Sequence, residues 1–224
     1  MTARAEVRGR LVLDDRVVVG RLTIDDGWIA ALELELDLDP ACTDLPYVSP
    51  GFVDVHVHGW GGHDVMGPPE ALDGMARALL SHGVTSFLPT GVTSPLPVLH
   101  DWANRVRAWI PAAPADGAEP LGFNLEGPFL SQAKKGAHNP RLLLNPADVP
   151  WSEIEPLVEG LTVMTVAPEI PGGLELIRRL TSLGVRISIG HSGTDLAGAF
   201  AGFDAGGVTT THLFNGMTGA DHRS

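Results

Sequence analysis

From residue 52 onward the chain repeats one rhythm, and that rhythm sharply narrows the folds open to it. Six apolar runs recur: "FVDVHVH", "VTSFLPT", "LGFNLEG", "LTVMTVAPE", "VRISIGHS" and "VTTTHLF". Between them lie "PEALDGMARALLSHG", "LPVLHDWANRVRAWI", "GGLELIRRLTSLG" and "DLAGAFAGFDAG", with apolar residues at helical spacing. A long loop and a short helix near "SEIEPLVEG" fill the remaining gap. Strands alternating with helices predict a parallel sheet with helices outside it. Six consecutive units favour a (β/α) barrel over an open doubly wound sheet. No Gly-x-Gly-x-x-Gly turn follows the first strand, which argues against a dinucleotide site. A closed barrel of this kind has eight strands. The expected fold class is therefore α/β, an incomplete (β/α)8 TIM-type barrel over residues 50–224 with its last two units missing. On this reading the sequence is part of a longer chain.

Residues 1–49 have a different texture. "RLVLDDRVVVGRLTIDDGWIAAL" alternates apolar and polar residues and is broken twice by Asp-Asp turns, the second continuing into Gly27. It predicts a small β-sandwich or a piece of one, separated from the barrel by the proline-bearing segment "LPYVSPG".

Composition sets outer limits. Hydrophobic residues make up 44% of the 224, enough for a sizeable core. The net charge of −12 offers no broad basic field for nucleic acid or an anionic membrane. A lone cysteine, Cys42, excludes an internal disulfide and fits a reducing compartment. The N-terminus "MTARAEVRGR" has no apolar signal core, and no run of about 18 apolar residues suggests a membrane span. A cytoplasmic protein is the expectation.

The chemistry gathers where the strands end. In "FVDVHVH" alternation puts Phe52, Asp54, His56 and His58 on one face and Val53, Val55 and Val57 on the other. The valines suit packing under helices. His56 and His58 would then face the C-terminal mouth of the barrel, where active sites of this fold sit. Two imidazoles on one face can converge on a divalent cation. Taken alone, they fit a hydrogen-bonded structural pair as well. Glu126 in "LEGPF", His191 in "IGHS" and His212 in "THLFNG" are each unremarkable singly, yet all five fall at C-terminal strand ends of one barrel. That coincidence favours a metal site. The other histidines read more plainly: His82 near a helix C-terminus, His100 on a helix surface, and His63 in the glycine loop after the first strand. Asp54 is either an outer partner of the histidines or a structural hydrogen-bond acceptor, and Lys134 and Lys135 read as solvated.

The set "PGFVDVHVHG", "LEGPFL…KKGAHNP", "GHS" and "THLFNGM" resembles the N-acetylglucosamine-6-phosphate deacetylases of the amidohydrolase superfamily, in order from about residue 49 to the end. "LEGPF", "GAHNP" and "THLFNGM" are specific; His-x-His alone marks only the superfamily. The resemblance implies a primary metal on Glu126, His191 and His212, and an optional second one on His56 and His58, giving one or two divalent ions per subunit. Zinc is the first expectation, with iron, manganese or cobalt as alternatives. It implies that His138 polarises the acetamide carbonyl, that Ala137 lines the substrate, and that Asn215 and Gly216 contact the sugar phosphate. Arg223 matches an arginine that reaches the phosphate bound by a neighbouring subunit, which implies a homodimer on a phosphorylated amino sugar. The expected reaction is hydrolysis of N-acetyl-D-glucosamine 6-phosphate to glucosamine 6-phosphate and acetate. The family's acid/base aspartate lies at the end of strand eight, which this sequence does not contain. Two alternatives follow: a non-catalytic piece that binds metal or a partner chain, or an amidohydrolase for another N-acyl or cyclic amide substrate.

Overall fold

A computed structural model describes residues 4–219. The chain divides into two compact units, Met1–Gly51 and Phe52–Ser224.

The first unit is a single four-stranded sheet of order β3-β2-β1-β4, built from β1 (Arg4–Val12), β2 (Val17–Asp25), β3 (Trp28–Leu34) and β4 (Tyr47–Val48). The Asp-Asp turns do join antiparallel strands, with Val12 opposite Val17 and Asp25 opposite Trp28. Asp26 and Gly27 both take positive φ, 52° and 81°, as a tight turn between twisted strands requires. No second sheet stacks on this one among the described residues. Trp28, Ile29 and Leu32 remain exposed, and the described residues form one sheet where a small sandwich or a piece of one is expected.

The second unit opens with β5 (Phe52–Val57). A two-residue ribbon of β6 (Gly59–Trp60) and β7 (His63–Asp64) follows, then α1 (Pro69–Leu80) and β8 (Val84–Val92). Next come α2 (Leu96–Trp109), β9 (Glu119–Pro120), β10 (Phe123–Glu126), α3 (Trp151–Ile154) and β11 (Leu161–Val166). The remainder is α4 (Gly173–Ser182), β12 (Arg186–Ile189), α5 (Leu196–Asp204) and β13 (Gly207–Thr210). The strands run parallel in the order β13-β12-β11-β10-β8-β5, with β9 beside β8. This is the incomplete parallel barrel that the alternation predicts.

The helices form because their apolar residues recur every three or four positions and reach the sheet together. α1 buries Leu72, Met75, Ala76 and Leu79; α2 buries Leu99, Trp102, Ala103 and Val106; α4 buries Leu176, Ile177 and Leu180. Each fully buried Leu, Ile, Val or Met side chain among these contributes roughly 1.5–3 kcal/mol. Trp102 stands edge-on to Phe123 at 5.4 Å, and its indole N–H donates to the Val65 carbonyl at 2.9 Å. Buried aromatic and polar ends are thus both satisfied.

Among the described residues β5 and β13 each have one strand neighbour, and both edges show apolar surface. Here the expectation for β5 needs correction. Val57 joins the core, but Val53 and Val55 are 55% and 50% exposed. The register against β8 shifts between Phe52 and Val53 and again between Asp54 and Val57. β5 is an edge strand among the described residues, and of its three valines only Val57 is buried. Similarly, Leu196 and Phe200 of α5 and Val208 of β13 are exposed.

Candidate metal centre

Glu126 is the last residue of β10 and is buried, with its carboxylate at the centre of five imidazoles. His191 Nε2 and His212 Nε2 lie 3.0 Å and 3.1 Å from Oε1, and His56 Nε2 lies 3.4 Å from it. His58 Nε2 and His138 Nε2 lie 3.0 Å and 3.2 Å from Oε2. The structure thus brings together His56, His58, Glu126, His138, His191 and His212. Two ligand groupings share the carboxylate: His56, His58 and Glu126, and Glu126, His191 and His212.

Each histidine reaches this point by a different backbone device. His56 sits inside β5, where its N–H donates to Asp54 Oδ1 at 3.0 Å. That places Asp54 as a brace for the irregular strand, and its carboxylate accepts from backbone. His58 is one residue past β5. His191 and His212 lie two residues past β12 and β13, beyond the strand ends that the sequence suggests. Both take positive φ, 48° and 32°, unusual for a residue with a Cβ. Asn124, one residue-pair below Glu126 on β10, donates from Nδ2 to the Val55 carbonyl at 2.9 Å and so ties β10 to β5 across the intervening β8.

The outer contacts of the imidazoles decide their chemistry. His58 Nδ1 lies 2.8 Å from the Thr90 carbonyl, His191 Nδ1 2.8 Å from the Lys134 carbonyl, and His212 Nδ1 2.9 Å from the Asn215 carbonyl. A carbonyl only accepts, so each Nδ1 carries the proton and each Nε2 turns its lone pair inward. There, His191 Nε2 and His212 Nε2 are 3.0 Å apart, and His56 Nε2 and His58 Nε2 are 3.1 Å apart. Lone pairs and carboxylate oxygens at such spacing are stable only with positive charge among them. Protons or divalent cations can supply it, and a His/Glu donor set of this kind fits such a cation.

The titration behaviour agrees. Burial by itself raises the Glu126 carboxyl, but hydrogen bonds from His138, His191, His56 and His58 outweigh it and hold the group well below the ordinary carboxylate range. Burial lowers His58 and His191, yet the hydrogen bond to Glu126 and the backbone carbonyl behind each ring bring both above the usual imidazole value. Protons and a cation would compete for the same inward Nε2 atoms.

The remaining sequence-derived positions are placed as follows. Ala137 is exposed beside His138 in the loop after β10. Asn215 N–H donates to the His212 carbonyl at 2.8 Å while its own carbonyl accepts from His212, closing the turn on itself. Gly216, at φ 58°, lies so close that an added Cβ would stand 3.1 Å from His191 Nδ1. Arg223 lies outside the described residues. Lys134 differs from its solvated reading: Nζ donates to the Met217 carbonyl at 3.2 Å. His100 is half-buried, with Nε2 2.7 Å from the Glu153 carbonyl, and His63 packs on Gly74 of α1. Sequence reasoning missed Thr90, Lys134 and Gly136, which contact the site through main-chain atoms. Lys134 and Gly136 carried a signal, their place in "KKGAHNP", and Thr90 carried none.

A half-open parallel barrel that gathers a buried carboxylate and five histidines at its strand C-termini offers a donor set suited to a divalent cation. Residues 47–220 match the amidohydrolase family, and the chain belongs to that family. It is 38% identical over 216 residues to an N-acetylgalactosamine-6-phosphate deacetylase of Escherichia coli O157:H7, covering 94% of this chain and 55% of the relative. It is 40% identical over 185 residues to the N-acetylglucosamine-6-phosphate deacetylase of Bos taurus, covering 79% of this chain and 44% of the relative. A solved structure of N-acetyl-D-glucosamine-6-phosphate deacetylase from Mycobacterium smegmatis, in complex with N-acetyl-D-glucosamine-6-phosphate, superposes with a TM-score of 0.82 at 28% identity, covering 99% of this chain and 58% of that one. The chain thus spans about half the length of the curated relatives it matches. Among the described residues no helix is long and apolar enough to cross a membrane.

Proposed function

We propose that this chain carries the metal-holding part of a deacetylase for N-acetyl-D-glucosamine 6-phosphate, yielding glucosamine 6-phosphate and acetate. The observation that carries the reading is the single buried carboxylate, Glu126, shared by two histidine groupings. Glu126, His191 and His212 would hold the primary cation, and His56 and His58 with Glu126 a second. Zinc is the first expectation, and iron, manganese and cobalt suit the same ligands. When bound, the cation supplies acidification of water and polarisation of an amide carbonyl.

The protein's own groups divide the remaining work. Thr90, Lys134 and Asn215 carbonyls hold three imidazoles in the tautomer that points Nε2 inward. His138, with a side chain only 6% exposed, donates to the substrate carbonyl oxygen and steadies the negative charge that develops there. Ala137 lines the acetamide side. Asn215 and Gly216 contact the sugar phosphate, and Arg223 contributes a guanidinium to phosphate across a homodimer. The compartment proposed is the cytoplasm.

Acetate release by the intact protein carrying this sequence, loaded with zinc, cobalt or manganese, tests the proposal. Glu126→Ala is expected to abolish it; equal release by both proteins would show the site to be wrong. The Escherichia coli relative's name favours one second reading, the galacto epimer of the same phosphorylated sugar. A panel of both N-acetylhexosamine 6-phosphates and their unphosphorylated forms separates the two.

A further inference from the structure

We infer that Glu169 is a positioning residue that sets the orientation of His191, an inference that rests on the metal-site reading above. His191 holds φ at 48°, in the left-handed region that crowds a Cβ against the backbone. Such a conformation persists where the surroundings impose it. Three separate contacts do so. Ser131 N–H donates to the His191 carbonyl at 2.9 Å. His191 Nδ1–H donates to the Lys134 carbonyl at 2.8 Å. The third contact is made by Glu169, which spends both carboxylate oxygens on the two residues directly after the imidazole. Ser192 Oγ–H donates to Oε2 at 2.7 Å, and Gly193 N–H donates to Oε1 at 2.6 Å. Thr194 N–H then donates to Ser192 Oγ at 3.2 Å, extending the bracing one residue further.

The placement of Glu169 explains why a carboxylate is used. It follows β11 in the segment Ala167-Pro168-Glu169, and β11 pairs directly with β12. The clamp therefore joins the loop after one strand to the loop after the next. A charge-assisted bidentate grip on a hydroxyl and an amide fixes both the distance and the direction in which the chain leaves β12. Because the turn begins at His191, that direction sets where its Cβ points, and with it where Nε2 meets Glu126 Oε1. Glu169 hydrogen-bonds Ser192 and Gly193, while the Glu126 carboxylate meets His56, His58, His138, His191 and His212. Its influence is thus exerted through the turn.

Cobalt(II) titration of the metal-free chain, followed by visible absorption, tests this. Glu169→Ala is expected to weaken cobalt affinity by about 10–100-fold, the usual cost of losing an outer support of a ligand, and to change the absorption envelope. Glu169→Gln keeps one acceptor in place and is expected to restore most of both. A purely structural role would leave the spectrum of the folded, loaded variant unchanged. Wild-type affinity and spectrum in Glu169→Ala would overturn the inference. If that variant does not fold, Ser192→Ala removes one of the two hydrogen bonds and carries the test: severalfold weaker binding supports the clamp, and unchanged binding overturns it. Absence of cobalt binding by the wild-type chain overturns the metal-site reading and this inference together, whereas wild-type binding with indifferent variants overturns this inference alone.

Discussion

Thr90 serves His58 twice, once through its main chain and once through its side chain. Its carbonyl accepts from His58 Nδ1 at 2.8 Å, and its buried hydroxyl accepts from Val57 N–H at 3.0 Å while donating to the Leu88 carbonyl at 3.0 Å. Val57 needs this because the register shift in β5 interrupts the ladder just before it. A side chain on the neighbouring strand thus replaces a missing sheet hydrogen bond and delivers the histidine that follows.

Thr90→Val keeps shape and removes that hydroxyl. It leaves the Val57 amide without its partner, at an expected cost of about 1–3 kcal/mol. Thermal or urea unfolding of the metal-free chain measures it. Metal binding at His56 and His58 should weaken more than binding at His191 and His212.

Glu126→Ala removes the one ligand common to both groupings. Loss of an outer support alone costs about 10–100-fold in metal affinity, so loss of the bridging ligand should cost more than about 100-fold. Isothermal titration with zinc would register this as loss of both binding events. One event persisting at native affinity would contradict the sharing of the carboxylate.

His58→Ala separates the two sites. The dialysed protein should lose the cation held by His56 and His58 while keeping the one held by Glu126, His191 and His212. Elemental analysis should fall from two equivalents toward one in the intact protein, if both are filled in the wild type.

Protons and metal should act in opposite directions. The folded values of His58 and His191 are raised, so their stabilisation of the metal-free chain is full below the unfolded imidazole value near about 6.5 and is lost as pH rises through the raised folded value. Glu126 is held low, so its contribution is present above the ordinary carboxyl value near about 4.3 and constant across neutral pH. Metal-free protein in chelator should therefore melt higher at about pH 6 than at about pH 8.5. Zinc affinity should show the reverse order, because the cation requires unprotonated Nε2 atoms.

Much of this was legible in the residues because two signals are local. Helix and strand periods mark six strands and the helices between them, and the histidines and Glu126 cluster at the strand ends. What stayed hidden is carried by the main chain or by departure from the period. Thr90, Lys134 and Asn215 contribute carbonyls, which every residue type possesses, so nothing in their identity announces the role. Val53 and Val55 look like core and are half exposed, because burial depends on which neighbour covers a strand as well as on its pattern. The clamp by Glu169 joins residues 23 and 24 positions apart and is visible only once β11 and β12 lie side by side.

One carboxylate serving two groupings also makes the sites thermodynamically unequal. Were both groupings to hold a cation, Glu126 would share its charge between two ions of like sign, so the second would be held less tightly than the first. Loading should therefore be anticooperative, with a half-filled species dominating over a range of metal concentrations. Since such coupling is reciprocal, whatever fills the His56–His58 side also tunes the grip of His191 and His212.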